Sequence, residues 1–259
     1  MFNNLQRWAC MSALVLPLWL AGCATGPAIS RKAAPLADTQ AWAAASTMEG
    51  ATTLGEWEHY VLPTKRATQF SANRRHGRDS MKAQAQSSAS MLRRKLRIEP
   101  EALGSVQFSW LVERVIPKAN MALSHADDSP VRVVLVFEGD RSKFSMRNAM
   151  LSEMAHAISG EPLPYATLVY SWCVHCTVGE VIKSPRTDRI RTKVIEAGEQ
   201  SLGAWKDYER AIKADFEVVF GEPPGALIAV GVMTDADNTD SDATAWYGPL
   251  KLHPTTPPR

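Results

Sequence analysis

Long apolar runs, cysteine and an excess of either charge are all scarce in this chain of 259 residues. No segment reaches 18 uninterrupted apolar residues, so no transmembrane helix is expected. The net charge is only +2, which gives no field of one sign. There is no Gly-x-Ser-x-Gly elbow, no His-Glu-x-x-His and no phosphate-binding glycine loop, so none of the motif-borne catalytic classes is indicated. His59, His76, His125, His156 and His175 are scattered, and each alone reads as structural or surface.

What is present begins with an address. Arg7 precedes an apolar run from Ala9 to Ala21, a charged n-region followed by an h-region too short to span a bilayer. The run closes on Leu20-Ala21-Gly22-Cys23, which resembles the lipobox of bacterial lipoproteins. Residues 1–22 are therefore expected to be a signal peptide, with Cys23 as the lipidation site. The anchor would be lipid alone, in the cell envelope, on the periplasmic side of the outer membrane by resemblance to Gram-negative lipoproteins. Residues 23–50, rich in Ala, Pro, Thr and Ser, are expected to form a flexible tether. Residues 51–253 are expected to be the folded domain and 254–259 a disordered tail.

Beyond Cys10 and Cys23 only Cys173 and Cys176 remain. An oxidising compartment favours a local disulfide between them. A haem attachment would need His directly after the second Cys, where Thr177 stands, and a zinc site would need two more ligands beside His175. The charges are segregated: residues 65–97 hold ten Lys or Arg and one acid, Asp79, whereas residues 196–242 hold eleven acids and three bases. The two regions either neutralise each other in the fold or form a partner surface. A basic face would suit lipid head groups, anionic glycan or an envelope protein; nucleic acid is not expected in this compartment.

Short runs of β character recur at Trp57–Leu62, Thr68–Ala72, Met91–Ile98, Val106–Val115, Val131–Glu138, Ala166–Trp172, Ile190–Glu196, Ala226–Thr234 and Thr244–Leu252. Val131–Phe137 is apolar on both faces apart from Arg132, as suits a central strand. With no regular βα alternation, the pattern predicts a mainly-β antiparallel sandwich. Two accessory helices are expected, over Ser142–Ser159 and Leu202–Phe220. Their apolar stripes (Phe144, Leu151, Met154, Ala155 and Ile158; Trp205, Tyr208, Ile212, Phe216 and Val219) are read as core. Strand period places Arg94 with apolar neighbours, so it needs a carboxylate partner, for which Asp128 and Asp215 are candidates.

The densest polar cluster is Thr234-Asp235-Ala236-Asp237-Asn238-Thr239-Asp240-Ser241-Asp242. Its carboxylates are hard oxygen ligands of the type Ca²⁺ prefers, with Asp235, Asp237 and Asp240 as candidate ligands and Asp127 and Asp128 as further donors. The spacing is not that of an EF-hand, and the same residues can simply cap a turn. Trp57, Trp110, Trp172, Trp205 and Trp246 could stack sugar rings or fill the core.

Several segments together resemble a bacterial family catalogued as domain of unknown function 3047. They are Gly55-Glu56-Trp57, Ser88-Ala89-Ser90-Met91-Leu92, Phe108-Ser109-Trp110, Asp127-Asp128-Ser129-Pro130-Val131-Arg132-Val133, Leu168-Val169-Tyr170-Ser171-Trp172, Asp215-Phe216 with Phe220-Gly221, and Thr234-Asp235-Ala236-Asp237-Asn238-Thr239. The chain departs from the family pattern at Cys173–Cys176 and in the basic segment 74–97. The resemblance implies a jelly-roll sandwich of the galactose-binding type, and glycan recognition by fold analogy. The expected function is a non-catalytic, lipid-anchored module binding a glycan or envelope partner, with Asp127, Asp128, Arg132, Asp215, Asp235, Asp237 and Asn238 as candidate site residues. The alternatives are a glycan hydrolase or lyase using Asp128 with Asp235 or Asp237 as acid and base, and a structural assembly factor of the envelope.

Overall fold

The computed structural model describes residues 40–255; the leader, Cys23, most of the expected tether and the last residues of the tail lie outside them. The chain runs α1 (Gln40–Ala45), β1 (Thr53–Val61), β2 (Gln69–Arg75), β3 (Arg78–Gln86), β4 (Ala89–Ile98), β5 (Leu103–Val112), β6 (Ser129–Phe137), α2 (Met146–Ser159), β7 (Ala166–Cys173), β8 (Val181–Lys183), β9 (Ile190–Ala197), β10 (Lys206–Ala211), α3 (Ile212–Phe220), β11 (Leu227–Asp235), β12 (Asp242–Tyr247) and β13 (Lys251–Pro254). A seven-stranded sheet in the order β1-β4-β11-β6-β7-β9-β8 faces a second sheet in the order β10-β5-β12-β3-β2, with β13 also paired to β5. The fold is a mainly-β sandwich. All strand pairs are antiparallel except β7 and β9, which run parallel.

The core follows from strand period. Val131, Val133, Leu135 and Phe137 of β6, Val230 and Val232 of β11, and Leu92 and Leu96 of β4 turn inward, against Val106, Phe108 and Trp110 of β5. Trp57, Trp110 and Trp172 are buried in this interior; Trp246 is buried on the opposite face of β12, beneath Arg75 and Lys82, and Trp205 is half-buried, beneath the Arg78 guanidinium. Among the described residues these tryptophans thus offer no open platform for a sugar ring.

Four expectations are corrected. Gln40–Ala45, assigned to the tether, is helical, and Trp42 is buried in the main core against Trp57; Met48 joins the same core, and Thr47 and Glu49 bond to Leu252. Leu202–Phe220 is not one helix. Lys206–Ala211 pairs with β5, setting Tyr208 against Phe108 and Trp110, and only Ile212–Phe220 is helical. The three-and-four spacing there spans a strand–helix junction. Arg94 is half-buried and donates to the Gly55 carbonyl at 2.7 Å rather than to Asp128 or Asp215.

The fourth concerns α2. Ser145 caps it and Gly160, at φ 75°, stops it, but the stripe read as core is so only in part: Phe144 packs against the core and Leu151 and Ala155 are half-buried, whereas Met154 and Ile158 face outward with Met146 and Met150. Met146, Met150, Met154 and Ile158 are 89, 65, 50 and 59 % exposed. The buried residues are Asn148 and Ser152, and Asn148 is held by Asp188 at 2.6 Å and Thr187 at 2.8 Å. A polar anchor, not apolar burial, fixes the orientation of this helix.

The basic strand face is also accounted for. Arg93 is bonded to Glu58 and Glu161, Lys95 to Glu161, and Arg97 to Glu99 and Glu138. Only Lys65–Asp237 and Arg78–Asp207 join the basic segment to the acidic region. Glutamates from elsewhere do most of the neutralising.

Candidate functional site

Two features share the outer face of the seven-stranded sheet. Alternation along β6 sends Arg132, Val134 and Val136 outward, opposite its core residues, and β11 sends Met233 and Asp235 the same way. One end of this face carries charge, the other is apolar. Ala89, Val134 and Met233 pack as a small cluster.

At the charged end the loop before β6 meets the loop after β11. Asp128 is fully buried, and both its oxygens are engaged: Oδ1 accepts from the Asn238 amide and side chain at 3.0 and 2.9 Å, Oδ2 from the Thr239 amide and hydroxyl at 2.8 and 2.6 Å. Burial pushes this carboxyl up, but the Thr239 and Asn238 bonds outweigh it and hold it below the usual carboxylate range. Arg132 is buried too. Its Nη2 donates to the Asp127 carbonyl and to Oδ1, each at 2.9 Å, and lies 3.5 Å from Asp235 Oδ2. Arg186 reaches the other Asp127 oxygen at 3.1 Å and Asn238 Oδ1 at 3.1 Å. Lys65 pairs with Asp237.

Asp235 is the odd member. Its Oδ1 is buried without a hydrogen-bond partner among the described residues. Burial pushes its carboxyl well above the ordinary range; Arg132 opposes that, while Asp128 and Asp237 add to it.

At the apolar end the sheet, the C-terminal half of α2 and the Glu161–Pro164 segment enclose a groove of about 840 Å³. Its floor includes Met91, Val134, Val136 and Ala229, and Ala155 and Ile158 form one lip. Arg93, Lys95, Arg141 and Glu161 stand in its wall. Burial would raise Glu161, but Arg93 and Lys95 hold its carboxyl down at about 2, so it remains ionised.

The family model described as Protein of unknown function (DUF3047) matches residues 55–251. The chain belongs to this family. No curated relative matches it. The DUF3047 match takes in both carboxylate loops and all of the groove wall except Thr53 and Leu54.

Of the site residues expected from sequence, the DUF3047 domain brings together Asp127, Asp128, Arg132, Asp235, Asp237 and Asn238. Asp215 belongs to a different network, in which it accepts from Tyr170 at 2.9 Å, Lys193 at 2.6 Å and Arg210 at 2.7 and 2.8 Å. Asp240 is exposed, in left-handed backbone at φ 51°, and accepts from Ser87. Cys173 and Cys176 are disulfide-bonded where β7 ends. Sequence reasoning missed Lys65 and Arg186 as partners of the carboxylates, and it missed the groove.

Asp128, Asp235 and Asp237 each offer an oxygen within 4.8 Å of the others. Yet the cations that compensate them are already side chains. Lys65 holds Asp237, Arg132 lies between Asp127 and Asp235, and four donors occupy Asp128. Ca²⁺ wants six to eight free oxygens, so this donor set suits internal guanidinium and ammonium groups better. The melting midpoint after EDTA treatment is therefore expected to be unchanged when Ca²⁺ is restored. A site occupied at about 100 times its Kd would add about 2.7 kcal/mol and move the midpoint by several degrees; such a shift would overturn the assignment.

Proposed function

We infer that this chain is a non-catalytic, lipid-anchored binding module of the cell envelope and that it binds its ligand in the apolar groove. The observation that carries the reading is the groove itself, whose 840 Å³ falls within the roughly 300–1,000 Å³ of small-molecule sites. The anchor rests on the lipobox ending at Cys23. Among the described residues no helix is long and apolar enough to cross a membrane, which accords with attachment by lipid.

Acid–base chemistry at the carboxylates is disfavoured by access and by occupancy. The cavity beside Asp128 is only about 10 Å³, scarcely the room for one water and far too little for a sugar ring. Both Asp128 oxygens are already taken by Asn238 and Thr239. The cluster works better as a clamp joining two loops.

Nile red, an uncharged apolar dye, should brighten on binding the chain from Ala24 onward, which retains the whole folded unit. Ala155→Trp, which places a ring at the lip, should weaken this at least about ten-fold with an unchanged melting midpoint. Equal binding by both proteins would mean that the groove is not the site.

A further inference from the structure

The geometry points to a long-chain carboxylate as the ligand of the groove: a single acyl chain on the apolar floor with its anionic head at Arg141 and Lys95. This rests on the groove being a binding site and goes on to name the chemistry of what it holds. Three observations carry it.

The first is the floor. Met91, Val134, Val136 and Ala229 present aliphatic and thioether surface on a sheet face whose opposite side already serves the core. Aliphatic surface of this kind takes hydrocarbon and offers little to a sugar, which needs convergent hydrogen-bonding groups and an aromatic face.

The second is charge. The wall holds three cations, Arg93, Lys95 and Arg141, against one carboxylate, Glu161. Arg93 is spent on Glu58 and Glu161, and Lys95 shares Glu161. Arg141 is exposed, and no carboxylate pairs with it among the described residues. An anionic head therefore finds one cation free and a second shared. A guanidinium fits a carboxylate through two parallel N–H bonds.

The third is the outward stripe of α2. Met146, Met150 and Met154 stand four residues apart on the line that ends at Ile158, a groove residue. This carries apolar surface about 18 Å along the helix beyond or beside the groove. Methionines are soft and unbranched, suited to a chain of variable length. The stripe is built on a helix whose polar face is the one fastened to the protein, so its exposure is designed into the fold through Asn148.

The test is titration of the chain from Ala24 onward with palmitate, methyl palmitate and shorter fatty acids, read by calorimetry and by displacement of Nile red. Palmitate should bind and displace the dye, and affinity should rise roughly three- to four-fold per added methylene. Lys95→Gln with Arg141→Gln should weaken palmitate about ten-fold and leave methyl palmitate within about two-fold. Ile158→Glu, at an exposed lip position that does not endanger folding, should weaken palmitate by repelling its head and removing apolar surface. If Nile red binds in the groove but palmitate shows no preference over methyl palmitate, the ligand class is wrong while the groove remains a site. If neither palmitate nor Nile red binds, both readings fall. If the protein sediments with phosphatidylglycerol vesicles but takes up no soluble palmitate, the face docks on a bilayer and the carboxylate ligand is overturned.

Discussion

Replacing Asp128 with Ala is expected to destabilise the fold by about 3–5 kcal/mol at neutral pH, the scale of removing one partner from a buried, charge-assisted network. The carboxylate accepts from four donors on Asn238 and Thr239, two of them backbone amides. Its loss strands two backbone amides in a loop that is otherwise closed. Asp128→Asn keeps the shape but turns an amino group towards N–H donors, so it should recover little. The pH dependence has a definite sign. The folded carboxyl lies below its unfolded value, so its contribution is present above that value, near 3.8, and is lost as pH falls through the folded one. Urea melts of wild type and Asp128→Ala should therefore differ most near pH 7 and converge in acid. A difference below about 1 kcal/mol at pH 7 would show that the loops hold together without the clamp.

Much of this fold was legible because its inward residues alternate in strongly β-forming runs. Val131–Phe137 and Ala226–Met233 are central strands, as their apolarity on both faces required. The same property was the available signal for the groove. Val134 and Val136 are apolar and outward, and something apolar has to cover them or bind to them. β3 escaped notice because its inward positions are Met81, Ala83 and Ala85, and alanine is a poor strand former that gives alternation little contrast. β10 was hidden by Tyr208 and Ile212, whose spacing imitates a helix across a strand–helix junction. The orientation of α2 could not be read from periodicity, since the rule that apolar residues turn inward is one-way and here Asn148 decides.

The carboxylate cluster was visible as composition but not as chemistry. Asp127, Asp128, Asp235 and Asp237 form a dense acidic set, and density alone suggests a metal. What changes the reading is Lys65, from the loop between β1 and β2, and Arg186, from the loop between β8 and β9. Both are remote in sequence, and neither carries a local mark of its role. Asp215 shows the converse: it reads as a site residue in sequence, yet Lys193 and Arg210 engage it on the inner side of α3 as a structural ion group.

Arg132→Met should cost about 3–5 kcal/mol at pH 7, because it leaves Asp127 and Asp235 buried with one guanidinium instead of two. Asp235→Asn should do the opposite and stabilise the wild-type background. The carboxyl of Asp235 is raised in the fold, so its contribution to stability is fully present below the unfolded value near 3.8 and is lost as pH rises through the folded one. The gain from Asp235→Asn should accordingly grow towards alkaline pH and vanish in acid, the reverse of the profile expected at Asp128. Combined with Arg132→Met it should restore part of the loss, giving a coupling of about 1–3 kcal/mol in a double-mutant cycle. The two aspartates sit within one cluster and 4.8 Å of each other, yet the Asn238 and Thr239 bonds hold the carboxyl of one below the ordinary range and burial pushes that of the other above it. Were Asp235→Asn to destabilise the protein by more than about 1 kcal/mol at pH 8, the carboxylate would have to be ionised and paired. The cation it served would then be one that Arg132 does not supply.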